Sequence, residues 1–369
     1  MISYGKQSIN QDDINAVVDV LKSDFLTQGP KVAEFEQDLA NYCSAKYAKA
    51  ISNGTAALHL AYLAVGLKSG DTVWTTPNTF VATANAALYC GAKVDFVDID
   101  SKTYNISIKA LKLKLIQAKK DNKLPKLVVP VHFAGQSCEM KDIWKLSKEY
   151  GFKVVEDACH ALGGKYLDKN VGSCEYSDMA VFSFHPVKMI TTGEGGAVLT
   201  NNKSLNDKVM LLMNHGITKD AGKFKNKSDG DWYYEQHALG FNYRLTDIQA
   251  ALGISQLKRL DSFVSKRKKI AKRYLSELTG VTLPYQHPDT SSSWHLFVIK
   301  VENRKYIQQN LKSEGIMTQV HYIPVNEQFF YSCKHKRLQN SSNFYQHCLS
   351  LPIYVDLTDQ EQLKVIGSL

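Results

Sequence analysis

Between Lys46 and Thr200, short apolar runs alternate with stretches of helical periodicity, a rhythm that few folds accept. "KYAKAIS" reads as a strand and "GTAALHLAYLAVG" as the helix that follows it. "DTVWTT", "FVATANAALYCG" and "KVDFVDID" repeat the pair and open a third. "KLVVPVHF" (126–133), "EMKDIWKLSKEYG" and "FKVVEDA" (152–158) continue it, and "MAVFSF" (179–184) and "GAVLT" (196–200) close it. Valine-rich runs without polar alternation are strands buried on both faces. The pattern therefore predicts an α/β domain with a mixed, mostly parallel sheet flanked by helices. In such sheets ligands bind beyond the carboxyl ends of the strands.

The composition changes after Thr246. Ile248, Leu252, Leu257 and Leu260 fall at roughly helical spacing in a Lys/Arg-rich stretch, followed by "SSSWHLFVIKV" (291–301) and "GIMTQVHYIPV" (315–325). Residues 1–245 are expected to form a large domain, with the segment 1–30 contributing to the substrate site, and 246–369 a smaller α+β domain. The densest basic run, Lys266-Arg267-Lys268-Lys269 with Lys272 and Arg273, reads as the solvated side of a helix. The net charge of +9 suits nucleic acid, membrane headgroups or a small anionic substrate. No zinc-finger spacing or RNP motif supports nucleic acid, and no apolar run nears the ~18–20 residues of a membrane span. The opening residues lack a signal-peptide core, so a cytoplasmic protein is expected. Seven cysteines without a CxxC pair point to reduced thiols rather than disulfides or a metal site.

Four stretches carry candidate chemistry. "SNGTAAL" (52–58) is a small-residue turn into a helix, which offers backbone N–H groups to an anion; a tight turn with Thr55 as N-cap is the plainer alternative. In "VVEDACHALGG" (154–164), Asp157 ends a strand apolar enough to be buried, where a carboxylate needs a partner, and His160 follows one turn later. "FSFHPVKMITTGEGGAVLT" (182–200) holds Lys188 between two buried runs, with Ser183 and His185 upstream and a glycine-rich turn behind. A lysine must lose its proton to attack a carbonyl, which burial or covalent attachment to a cofactor would favour. In "LGFNYRLTDIQAALG" (239–253), Asn242 and Arg244 precede a helix that Thr246 could cap. A phosphate cradle, a strand-end carboxylate and a lysine on the next loop together match pyridoxal 5′-phosphate chemistry.

With "LTQGPKVAEFE" (26–36), "TTPNTFVATANAA" (75–87) and "VHYIPV" (320–325), these motifs resemble the DegT/DnrJ/EryC1/StrS family of sugar-nucleotide aminotransferases over nearly the whole chain. The resemblance implies the PLP-dependent transferase fold type I. It makes Lys188, Asp157 and His160 the catalytic residues: Lys188 would hold the cofactor covalently, Asp157 would pair with the pyridine nitrogen, and His160 would approach the ring hydroxyl. Phe80 would cover one ring face. Gly54, Thr55, Ala56 and Ser183 would surround the phosphate, helped by Asn242 from the second subunit of a homodimer with shared sites. Tyr4, Leu26, Thr27, Gln28, Gly29, His185, His321, Tyr322, Ile323 and Pro324 would line the substrate site.

The implied reaction moves the amine of L-glutamate, by way of pyridoxamine 5′-phosphate, to a UDP-linked 4-keto-6-deoxy-N-acetylhexosamine, as in members serving pseudaminic acid biosynthesis. A dTDP- or GDP-linked 3- or 4-keto sugar is the alternative. Relatives with histidine in place of the lysine dehydrate their sugars, so Lys188 favours transamination. A nicotinamide-dependent oxidoreductase lacks G-x-G-x-x-G here and leaves Lys188 unexplained. A non-catalytic nucleic-acid-binding or regulatory protein would use only the basic surface.

Overall fold

The computed structural model describes residues 1–333 and 335–369. Helices α1 (Gln11–Leu21) and α2 (Pro30–Cys43) precede the first strand. The alternating region then gives β1 (Tyr47–Ile51), α3 (Gly54–Ala64), β2 (Thr72–Thr75), α4 (Ala82–Tyr89), β3 (Lys93–Phe96), α5 (Ile108–Lys120) and β4 (Leu127–Val129). It continues through α6 (Met140–Tyr150), β5 (Lys153–Asp157), the two-residue strands β6 (Lys165–Tyr166) and β7 (Lys169–Asn170), β8 (Met179–Ser183), β9 (Gly196–Thr200) and α7 (Lys203–Leu212).

Seven of these strands form one sheet in the order β1-β9-β8-β5-β4-β2-β3. Strand β9 runs antiparallel to both its neighbours, and every other pairing is parallel. The two reversals return β1 to the direction of β8. The carboxyl ends of β1, β4, β5 and β8 therefore share one edge with the amino end of β9. Burial explains the strand choice: Val128, Val154, Val155 and Val181 are fully enclosed by helices on both faces.

Two glycines let that edge close up. A Cβ on Gly196 would sit 2.7 Å from the Asn53 carbonyl carbon, and one on Gly54 2.9 Å from Ser183 Cβ. The glycine-rich turn thus serves the contact between β9 and the start of α3. That helix is capped by Asn53, whose side chain accepts from Ala56 N–H at 2.8 Å, and Thr55 lies inside the helix.

Helix α8 (Asp247–Lys258) begins with a Thr246/Gln249 capping box and packs on α1 and α2, sharing a core with Phe35 and Phe184. Helix α9 (Leu260–Glu277) leads into a further core around Ile270, Tyr274, Phe297 and Leu349. There residues 297–300 pair antiparallel with 348–351, the expected mixture of helix and antiparallel strand. Ile2 joins this core, and its main chain bonds to Gly315 and Met317.

The basic run on α9 is not wholly solvated. Lys266, Lys268 and Lys269 are exposed, but Arg267 is 2% exposed. Its Nη1 donates to the carbonyls of Ile353, His295 and Trp294 at 2.9, 3.2 and 3.3 Å. Arg267 shares the helix face of Phe263, Ile270 and Tyr274, so periodicity outranked charge at this position. All seven cysteines are free thiols. Among the described residues no helix is long and apolar enough to cross a membrane.

Candidate active site

At the shared strand edge lies a cavity of about 970 Å³. Its floor is the end of β5, where Asp157 is 5% exposed. Thr83 Oγ1 donates to Asp157 Oδ2 at 2.6 Å, and the Cys159 N–H donates to Oδ1 at 3.2 Å. Thr83 has one proton to give, so its 2.7 Å contact with Thr79 Oγ1 has Thr79 as donor. One wall is the start of α3. There the first-turn N–H groups of Gly54 and Thr55 have no partner within the helix, and Ser183 stands beside them.

Lys188 enters from the loop after β8 and is partly buried. Burial lowers the pKa of its amine, and the neighbouring Cys159 and Asp157 offset part of that shift. Three buried imidazoles, His160, His295 and His321, also line the cavity. All are held below the ordinary histidine range, first by burial and then by nearby positive groups including Lys188. His321, whose Nδ1 lies 2.8 Å from Ser350 Oγ, is pulled down to about 3. The Tyr322 hydroxyl lies 3.0 Å from His160 Nε2, and burial raises the pKa of that phenol. His160 Nδ1 is buried without a hydrogen-bond partner.

The cavity gathers twelve of the residues that the sequence singled out. Gly54, Thr55, Ala56, Ser183 and Lys188 line it beside Asp157 and His160. Tyr4, Phe80, His185, His321 and Tyr322 form its outer part, with Phe80 59% exposed at the mouth. Seven others lie outside its lining. Thr27 forms a bridge with Thr246, and Gly29 N–H donates to the Asp247 carboxylate at 2.7 Å, which holds the Leu26–Gln28 stretch against the start of α8. Asn242 is exposed and bridges to Asn214. Ile323 and Pro324 lead away from the cavity toward the contact of Val325 N–H with the Pro77 carbonyl. Sequence reasoning missed Thr83, which sits inside "TTPNTFVATANAA", and His295, which follows Trp294 in the run 291–301 assigned only to the smaller domain.

A DegT/DnrJ/EryC1/StrS aminotransferase family profile matches residues 7–369. The chain belongs to that family. It is 44% identical over 368 residues to the UDP-4-amino-4,6-dideoxy-N-acetyl-beta-L-altrosamine transaminase of Campylobacter jejuni, covering 97% of this chain and 93% of that one. The aminotransferase superposes on Helicobacter pylori PseC, involved in the biosynthesis of pseudoaminic acid, with a TM-score of 0.90 and 33% identity, covering 100% and 97% of the two chains. It superposes equally well on Streptococcus pneumoniae Spr1654 in its PMP-form, with a TM-score of 0.90, 28% identity and 100% and 98% coverage.

The cofactor of the family is pyridoxal 5′-phosphate, and the cavity fits it. The start of α3 with Ser183 offers donors for a phosphate. The orphaned His160 Nδ1 is a buried polar atom that lacks a partner within the chain, and Lys188 and Asp157 supply an amine and a carboxylate in one enclosure.

Proposed function

We propose that this aminotransferase uses L-glutamate to aminate C4 of a UDP-linked 4-keto-6-deoxy-N-acetylhexosamine. The product would be UDP-4-amino-4,6-dideoxy-N-acetyl-β-L-altrosamine, an intermediate of pseudaminic acid biosynthesis. The observation that carries this reading is the 44% identity with the Campylobacter enzyme along almost the full length of both chains. We further propose a cytoplasmic homodimer, with residues 1–245 as its cofactor domain and 246–369 as its smaller domain. The seven free thiols suit a reducing compartment.

Bound in the cavity, pyridoxal 5′-phosphate supplies an aldehyde that takes up amines and a ring that draws electrons from the carbon bearing them. Gly54, Thr55, Ala56 and Ser183 hold the phosphate. Asp157, oriented by Thr83 and by the Cys159 N–H, holds a proton on the pyridine nitrogen. His160, kept neutral by burial and steadied by Tyr322, bonds the ring oxygen. Lys188 is the proton carrier. Its lowered pKa lets the amine take the proton from the glutamate Cα in one half-reaction and return one to the sugar C4 in the other. Tyr4, His321 and Tyr322 border the outer cavity, where the nucleotide sugar enters. The Leu26–Gly29 segment and Asn242, which lie outside this chain's own cavity, serve the site of the partner subunit.

The test is a panel of UDP-, dTDP- and GDP-linked 4-keto sugars, each offered with L-glutamate and followed by release of 2-oxoglutarate. The UDP-linked N-acetyl sugar is expected to give the highest kcat/KM. A higher value with another nucleotide would replace the substrate assignment.

A further inference from the structure

The strand that carries Asp157 into the cavity carries a second buried carboxylate out of its other face. Glu156 and Asp157 are each 5% exposed, and strand alternation sends their side chains to opposite faces of the sheet. Glu156 Oε2 lies 2.7 Å from His132 Nε2, and Ser177 Oγ donates to Oε1 at 2.5 Å.

The partners fix the protons. The Cys138 N–H donates to His132 Nδ1 at 3.1 Å, so that nitrogen is bare and the ring proton sits on Nε2. His132 is then a neutral donor. Glu156 accepts on both oxygens, the behaviour of an ionised carboxylate. Among the described residues no lysine or arginine nitrogen lies within ion-pair distance of it. The groups on its side of the sheet are the thiols of Cys43, Cys138 and Cys174, which its charge helps to keep protonated, the phenols of Tyr166 and Tyr176, and Lys169 and Glu175 at an exposed rim. A buried anion without a cation is costly, and here it sits one residue from the site. The same loop also grips Asp157 by the main chain: the His132 N–H donates to the Asp157 carbonyl at 3.0 Å, and the Asp157 N–H to the Pro130 carbonyl at 2.9 Å.

We infer that Glu156 is a positioning residue of this active site. Clamped by His132 and Ser177, it fixes the strand end that presents Asp157 and adds negative charge behind the place where the pyridine nitrogen is held. The inference rests on the assignment of Asp157 to that nitrogen.

The test is a pH titration of the cofactor absorbance band in the loaded wild type, Glu156→Gln and Asp157→Asn, with thermal melts alongside. Negative charge favours protonated forms, so Glu156→Gln is expected to lower the midpoint by about half a unit or more. Its kcat should fall roughly tenfold while KM for L-glutamate changes little. Should Glu156→Gln not fold, His132→Lys keeps the carboxylate but pairs it with an ammonium, and should move the midpoint the same way. A midpoint that stays at the wild-type value while Asp157→Asn moves it overturns the inference, even if the melting temperature falls. A band indifferent to Asp157→Asn as well overturns the assignment of Asp157 itself, and the inference with it.

Discussion

Thr83 Oγ1 donates a 2.6 Å hydrogen bond to Asp157 Oδ2, and so ties the first turn of α4 to the end of β5. Both residues are buried, and Thr79 completes the chain by donating to Thr83. The carboxylate that we propose faces the ring nitrogen is thus held in one orientation from α4.

Thr83→Val keeps the shape and removes the donor. The buried Asp157 oxygen then lacks that bond, at a cost of about 1–3 kcal/mol in stability. Activity should fall further than stability, with kcat down roughly tenfold, because the freed carboxylate samples other rotamers. Thr83→Ser should recover most of the rate. Steady-state kinetics with thermal melts of both variants checks this, and a Thr83→Val enzyme with wild-type kcat contradicts it.

What was readable in the sequence depended on how local its cause is. The strands showed because Val154, Val155 and Val181 need burial on both faces. Asp157 and Lys188 showed because a charged group amid apolar neighbours needs a reason to be there. The reversed direction of β9 was not legible, since no local pattern separates a parallel from an antiparallel buried strand. Thr83 and His295 reach the cavity only once α4 folds against the end of β5 and the 292–296 segment bonds to Ala134, Gly135 and His160, and hydroxyl and imidazole groups are common enough to pass unnoticed. Arg267 was misassigned because its charge was read as solvated. Its helix face instead meets three carbonyls that satisfy part of the guanidinium.

The three neutral imidazoles make the fold acid-sensitive. His160, His295 and His321 have folded pKa values below the unfolded value of 6.5. Above that pH both states leave them neutral and nothing is gained or lost. Below it the unfolded chain binds protons that the folded chain refuses, so stability falls as pH drops, for His321 down to about 3. Melting temperatures from about pH 7.5 to about pH 5 should decline, and His321→Gln should flatten the decline. A slope unchanged by His321→Gln contradicts this.

Sharing of sites between subunits can be tested by complementation. Lys188→Ala should abolish turnover, and Asn242→Ala should impair it when cofactor is limiting. If Asn242 serves the partner's site, each mixed dimer contains one site with both defects and one with neither. Random reassembly makes about half the dimers mixed, so activity should recover toward roughly a quarter of wild type. With Asn242→Ala first shown to be badly impaired alone, no gain on mixing contradicts the shared site.

The central claim, amine transfer to a nucleotide-linked sugar through Lys188, is tested most directly by following the nitrogen. Incubation with ¹⁵N-labelled L-glutamate and the UDP-linked 4-keto-6-deoxy-N-acetylhexosamine, read by NMR of the sugar, should place ¹⁵N on C4 with wild-type protein and nowhere with Lys188→Ala. A sugar that is consumed without acquiring ¹⁵N, or one labelled equally by the Lys188→Ala protein, would contradict the account.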